Sequence, residues 1–182
     1  DLVRSRGLGD VYKRQVPRVS SETNSEKEKL IEEVGVTGTQ NILDSINNKC
    51  KIIFPSTHVI YEGINKVEKE IKESEESKPV LSYSSSKAVN EKQLKNSGKN
   101  YVILRLGSVY GYSTDTTRID IMPNLFSKIS SQNGTLKLFS GGRQIKSLVP
   151  LIDVARCFKF AEENEKLENG IGRNYSSNIQ KI

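Results

Sequence analysis

The sequence predicts an α/β fold built on a parallel sheet, and three observations carry that expectation. Two continuous apolar runs, KIIFPS over 51–56 and NYVILRL over 100–106, have the length and composition of strands buried on both faces. The stretch between them is long enough for a crossover and contains a helical segment, and a strand, crossover helix and strand form a right-handed unit with its strands parallel. Apolar positions at helical spacing mark further helices before the first run and after the second.

In chain order, residues 1–15, DLVRSRGLGDVYKRQ, show neither strand alternation nor a helical stripe. They resemble the adapter-like sequence found at the ends of assembled gene fragments and are set aside as non-native or disordered. From Ser25 the pattern turns helical, with Leu30, Ile31, Val34, Leu43 and Ile46 on one broad face. Gly35 and Gly38 interrupt it; glycine costs about 1 kcal/mol against alanine inside a helix, so another backbone or a ligand is expected to approach closely there. The first strand follows Asn47 and Asn48 and ends near Pro55. Residues 66–79 are charge-dense and read as a solvated loop or exposed helical turn. Ser82 to Leu94 reads as a helix with a serine-rich start that offers caps. Beyond the second strand come a polar loop, a helix near 119–131 and short strands near 136–139 and 145–149. A helix follows at 151–163, where Leu151, Val154, Ala155, Phe158 and Ala161 trace an apolar stripe, and NYSS reads as a last strand.

Composition excludes several classes. The 182 residues, 35% hydrophobic and 27% charged, suit one soluble domain with a real core. The net charge of +6 comes with only 7% aromatic residues and no stacking or zinc motif, so it reads as a solvated basic surface and not a nucleic-acid site. Cys50 and Cys157 stand far apart without a CxxC or a nearby histidine, which supports neither a disulfide framework nor a metal site and favours a reducing, cytoplasmic compartment. Cys157, on an apolar stripe, reads as core. No apolar run approaches the ~20 residues of a membrane span, and no signal-peptide core is present.

The residues with chemistry lie at the ends of the predicted strands and on the helix between them. Tyr83 and Lys87 form YSSSK, whose i, i+4 spacing places phenol and ammonium on one helix face. A nearby cation favours phenolate over phenol, which moves a group of reference pKa ~10 toward use as a general base. By itself such a pair arises readily by chance. Ser56 and Thr57 stand just after the first strand, in PSTHVIYEG, where hydroxyls would project beyond the carboxyl end of a parallel sheet, the place where open α/β folds bind ligands. RLGSVYG, Arg105 to Gly111, holds the equivalent place after the second strand. His58, the only histidine, lies beside Thr57 with no carboxylate adjacent in the chain and reads as a supporting or surface group. Arg118 and Asp120 read equally as a substrate-domain segment or a surface ion pair.

In this order the motifs resemble those of the extended short-chain dehydrogenase/reductases, specifically the NAD-dependent epimerase/dehydratase group acting on nucleotide sugars. Thr57 stands four residues before Tyr61, as the family's hydroxyl residue stands before the tyrosine of its VYG; Tyr83 and Lys87 match its YxxxK. Arg105 to Gly111 match RxxNVYG with Ser108 in place of asparagine. Gly142, Gln144, Lys146, Ser147, Leu148, Leu151, Asp153, Val154 and Ala155 follow GxQxRDFxxVxDVA, and VTGTQNIL resembles NVxGTxNLL. The resemblance covers about residues 25–178.

The resemblance implies a partial Rossmann-like, doubly wound parallel sheet with a small C-terminal substrate-binding region. Residues 16–111 would be the C-terminal part of the NAD(P)-binding domain, 112–170 mainly substrate-binding, and 171–182 a last, truncated strand. It implies a NAD-dependent nucleotide-sugar epimerase, with NADP left open. Tyr83 would take the hydroxyl proton, Lys87 lower the Tyr83 pKa and bind the nicotinamide ribose, and Thr57 place the reacting oxygen. Ser56, Tyr83, Lys87, Leu106, Gly107 and Val109 would line the cofactor; Thr57, Ser108, Arg143 and Lys146 would meet substrate. No metal is implied. The partners would be a nucleotide sugar and, for the full-length parent, a second copy, with neither nucleic acid nor membrane.

Departures from the pattern also matter. The glycine-rich turn that receives the pyrophosphate is not seen, and GLG at 7–9 has neither its spacing nor a preceding strand, so the chain reads as an internal fragment expected to be inactive and to bind NAD weakly alone. Gly35 replaces an asparagine, and Lys146 replaces an arginine, supplying charge without the bidentate fork. Dehydratases of the family follow the threonine with aspartate and glutamate, where this chain has His58 and Val59, so water elimination is not expected. The alternatives are another extended-family reductase, of steroid or flavonoid type, and a non-catalytic binding or RNA-associated protein that keeps the fold.

Overall fold

The computed structural model describes residues 25–64, 71–114, 118–142, 146–167 and 170–173. They form two compact units, one built from described residues up to Ile52 and from Val59 to Tyr101, the other from Ile53–His58 and from Val102 onward.

The first unit is mainly helical. α1 (Ser25–Ile31) runs into a π-helical turn, Glu32–Thr37, and then α2 (Gly38–Ser45). The single helix expected here is thus interrupted. Adjacent helical positions stand ~100° apart, and Ile31 takes the inward one while Leu30, expected beside it on the buried face, is 41% exposed. Leu43 is buried as expected. α3 (Ser82–Asn96) packs against the π turn. The wider π turn alters which carbonyls find partners within the helix, and side chains of α3 meet two of them: Asn90 Nδ2 donates to Gly35 O at 2.8 Å and Gln93 Nε2 to Val36 O at 3.1 Å. Thr39 Oγ1 also donates to Gly35 O, at 2.6 Å. At Gly35 the neighbour is thus a side chain of α3 on its carbonyl, whereas the close approach expected at Gly38 does not occur: an added Cβ there would meet only Glu33 O, at an ordinary 3.7 Å. Lys99, buried after α3, donates to Ile46 O and Asn48 Oδ1, both at 2.8 Å, and closes the end of α2.

In the second unit, β1 (Lys51–Thr57), β2 (Asn100–Leu106) and β5 (Gly170–Arg173) form a sheet in the order β1-β2-β5. β2 and β5 run parallel, with Val102 opposite Gly170 and Arg105 opposite Arg173. Val102, Ile103, Leu104 and Arg105 are all buried, so both faces of β2 are covered, as its unbroken apolar run requires. β3 (Ser108–Tyr110) and β4 (Leu148–Pro150) form a second parallel pair. Helix α5 (Leu151–Glu163) lays Ala161, Cys157 and Phe158 into a core with Val102, Leu104, Ile53 and Leu106. Burial pushes the Cys157 thiol up in pKa, in keeping with its expected core role.

α4 spans Met122–Ser131, shorter than the expected 119–131. The strand expected at 136–139 does not form: 136–138 is irregular and exposed, and a 3-10 turn occupies Phe139–Gly142. Among the described residues no strand pairs with this segment, and a segment without a pairing neighbour cannot satisfy a ladder. The strand near 145–149 is β4, and β3 was not foreseen. The strand expected over NYSS lies outside the described residues. No described helix is long and apolar enough to cross a membrane.

Candidate active site

Ser56 and Thr57 end β1 and are buried, 4% and 8% exposed. A 3-10 turn, His58–Tyr61, follows at once. His58 Nδ1 lies 3.0 Å from Leu106 O, a hydrogen bond that ties the end of β1 to the end of β2 and gives the only histidine a positional role. Beyond Leu106, Gly107 is buried, and a Cβ built on it would stand 2.9 Å from both the carbonyl oxygen and the hydroxyl of Ser147. The Ser108 N–H donates to the same Ser147 carbonyl at 2.8 Å, which starts the β3–β4 pair. Glycine at 107 is thus required by the approach of another strand. Ser108, Val109 and Tyr110 are half-buried on β3, Val109 opposite Val149.

Tyr83 and Lys87 lie one turn apart on α3 in the other unit. Lys87 Nζ stands 6.0 Å from the centre of the Tyr83 ring, at the outer reach of a cation–π contact. Burial holds the Lys87 ammonium below the ordinary lysine range, because desolvation disfavours its charged form. Tyr83 is half-buried, and its carbonyl accepts the Ser86 hydroxyl at 2.8 Å. The helix therefore brings Tyr83 and Lys87 together, and the strand ends gather Ser56, Thr57, Leu106, Gly107 and Ser108 within their own unit.

Lys146 is exposed ahead of β4, and Arg143 lies outside the described residues. Arg118 and Asp120 form an ion pair at 3.0 Å with side chains about half exposed, so the solvated pair is present as the plainer reading held. Asn124 of α4 donates to Arg118 O at 2.9 Å and accepts from the Gly111 N–H at 3.0 Å, closing the loop between β3 and α4. No group of three or more His, Cys, Asp or Glu that could hold a metal ion stands among the described residues.

The sequence pattern gave no sign of Glu62. Its Oε1 accepts the backbone N–H groups of Val80 and Leu81, both at 2.7 Å, and the Ser84 hydroxyl, all at the start of the helix that carries Tyr83. Asn90 was equally hidden. Both act on distant backbone, which a local spacing cannot reveal.

Parallel strands covered by helices, with hydroxyl side chains at a strand end and a Tyr–Lys pair on the crossover helix, describe a Rossmann-like α/β fold. The chain belongs to the NAD dependent epimerase/dehydratase family, whose model matches residues 17–175. Among solved structures it resembles a Tyr-to-Phe mutant of UDP-glucuronic acid 4-epimerase from Bacillus cereus, in complex with UDP-4-deoxy-4-fluoro-glucuronic acid and NAD, at 21% identity and a TM-score of 0.74, covering 87% of this chain and 51% of that one. It also resembles a UDP-glucose 4-epimerase from Thermotoga maritima with UDP-glucose (21% identity, TM-score 0.70, 82% and 50% covered). A dTDP-glucose 4,6-dehydratase double mutant from Streptomyces venezuelae with NAD bound is a third (21% identity, TM-score 0.64, 85% and 49% covered). The chain spans about half the length of these structures. No match is found among curated protein sequences.

Proposed function

We propose that the protein is a NAD-dependent epimerase of nucleotide sugars, with Tyr83, Lys87 and Thr57 as its reacting and orienting groups. The observation that carries the reading is the Tyr83–Lys87 pair, a phenol with a partly desolvated ammonium one helical turn away. NAD suits each group of residues taken by itself: the half-buried ammonium of Lys87 can donate to a ribose hydroxyl, and the buried hydroxyls of Ser56 and Thr57 stand at a strand end of an open α/β sheet. Bound NAD supplies acceptance of the carbinol hydride and its return to the sugar's opposite face.

The chain's own groups handle the proton. The Tyr83 phenolate takes the proton of the sugar hydroxyl as that carbon becomes a ketone, and gives it back when the ketone is reduced. Lys87 in its charged form favours the phenolate, and its partial burial reduces the screening of that charge by water. Thr57 holds the reacting oxygen by a hydrogen bond, and Ser108 and Lys146 meet the substrate, as does Arg143. Within the same family the epimerase reading is favoured over water elimination by His58 and Val59: valine can neither protonate a leaving hydroxyl nor remove a proton. Tyr83→Phe in the full-length enzyme tests the reading, because it deletes the proton-transferring oxygen and leaves the ring. Turnover near the wild-type value in that variant contradicts it.

A further inference from the structure

The helix that presents Tyr83 and Lys87 begins without a cap of its own. Its N-cap residue is Leu81, whose side chain makes no capping bond. In a capping box the residue at N3 reaches back to the N-cap N–H; here N3 is Ser84, whose hydroxyl is too short for that task and instead lies 2.8 Å from Leu81 O. Glu62, in the turn after β1, supplies the missing acceptor. Oε1 collects the N–H groups of Val80 and Leu81 and the Ser84 hydroxyl, and Ser84 is fully buried. A carboxylate here also favours the positive end of the helix dipole.

The neighbours of Glu62 complete a clasp. Gly63 N–H donates to Lys78 O at 2.8 Å, and a Cβ on Gly63 would stand only 2.6 Å from that oxygen. Tyr61 and Ile60 pack in one core cluster with Ala88, the residue after Lys87. The successive residues Tyr61, Glu62 and Gly63 thus hold α3 by packing and by a carboxylate cap, and the segment that leads into it by close backbone approach at Lys78.

We propose that Glu62 is a positioning residue that sets the first turn of α3, and with it the placement of Tyr83 and Lys87. The inference rests on the function proposed above. Its test compares Glu62→Ala, Glu62→Gln, Gly63→Ala and Tyr83→Phe in the full-length enzyme, reading kcat and KM together with amide hydrogen exchange at Val80 and Leu81. Glu62→Ala is expected to speed exchange at those two amides by about tenfold and to lower kcat by about 10- to 100-fold, with KM for the nucleotide sugar little changed. Glu62→Gln keeps an oxygen acceptor and is expected to restore kcat to within about threefold of wild type. Gly63→Ala, which leaves the carboxylate in place but forces Lys78 away, is expected to lower kcat in the same sense, and it keeps the test open should Glu62→Ala fail to fold. Unchanged kcat in folded Glu62→Ala or Gly63→Ala would overturn the proposal, as would a Gln variant as impaired as Ala, which would make the charge itself the active element. Normal turnover in Tyr83→Phe would instead sink the function, while the exchange readout would still report whether Glu62 caps the helix.

Discussion

At the residue scale, the role proposed for the Tyr83–Lys87 pair comes with a cost in stability, because burial disfavours the Lys87 charge. Tyr83→Phe is expected to lower turnover by ~10² or more with little change in NAD affinity, since only the proton-transferring oxygen is lost; steady-state kinetics with a separate NAD titration checks both halves. Lys87→Met is expected to impair both quantities, yet to leave the melting temperature at neutral pH equal or higher, because it removes a charge that burial disfavours. The lowered pKa also sets the sign with pH. Below the folded pKa the lysine is charged in both states and the burial penalty is fully present; between that pKa and the ordinary 10.5 the folded protein has released its proton and stability rises. The variant's stability advantage should therefore shrink as pH rises through that window, and melting curves across alkaline pH would show it. A thiol-reactive probe should label exposed Cys50 readily and Cys157 only slowly, since burial raises the Cys157 pKa and lowers its thiolate fraction.

At the scale of elements, two joints hold neighbouring segments together, one within each unit. Asn90→Ala should cost about 0.5–1.5 kcal/mol in denaturant melts, because it withdraws the α3 donor from Gly35 O while Thr39 Oγ1 still donates to that carbonyl. Gly107→Ala should cost about 1–3 kcal/mol by forcing Ser147 away from the start of the β3–β4 pair. These joints also show where the sequence was legible. The bounds of β2 and α5 were readable to the residue because a buried strand and a packed helix leave a pattern along the chain itself, although Leu151 and Ala155, expected on the packed stripe of α5, are exposed. The early helix was readable as a helix, but its π turn was not, since the partners of the altered carbonyls, Asn90 and Gln93, lie on another helix far along the chain. Pattern also suggested a strand at 136–139, where the apolar residues Leu136 and Leu138 are instead 40% and 59% exposed in an irregular segment. The spacing of Tyr83 and Lys87 was visible because one helical turn relates them, whereas the cap on their helix comes from Glu62, beyond the reach of any local motif.

At the scale of the whole molecule, family membership and the parallel α/β fold place the protein among the NAD dependent epimerases and dehydratases, and the proposed function chooses between those two reactions. The proposed choice rests on the two residues that follow Thr57. Thr57 is followed by His58, tied through Nδ1 to the Leu106 carbonyl, and by Val59, which has no acid–base chemistry. The most direct measurement is to incubate the full-length enzyme with NAD and a panel of nucleotide hexoses, then track the products by mass and by sugar stereochemistry. An epimerase yields a product of unchanged mass with one inverted carbinol centre, lost in Tyr83→Phe, and that is the expected result; accumulation of a product lighter by one water would contradict it.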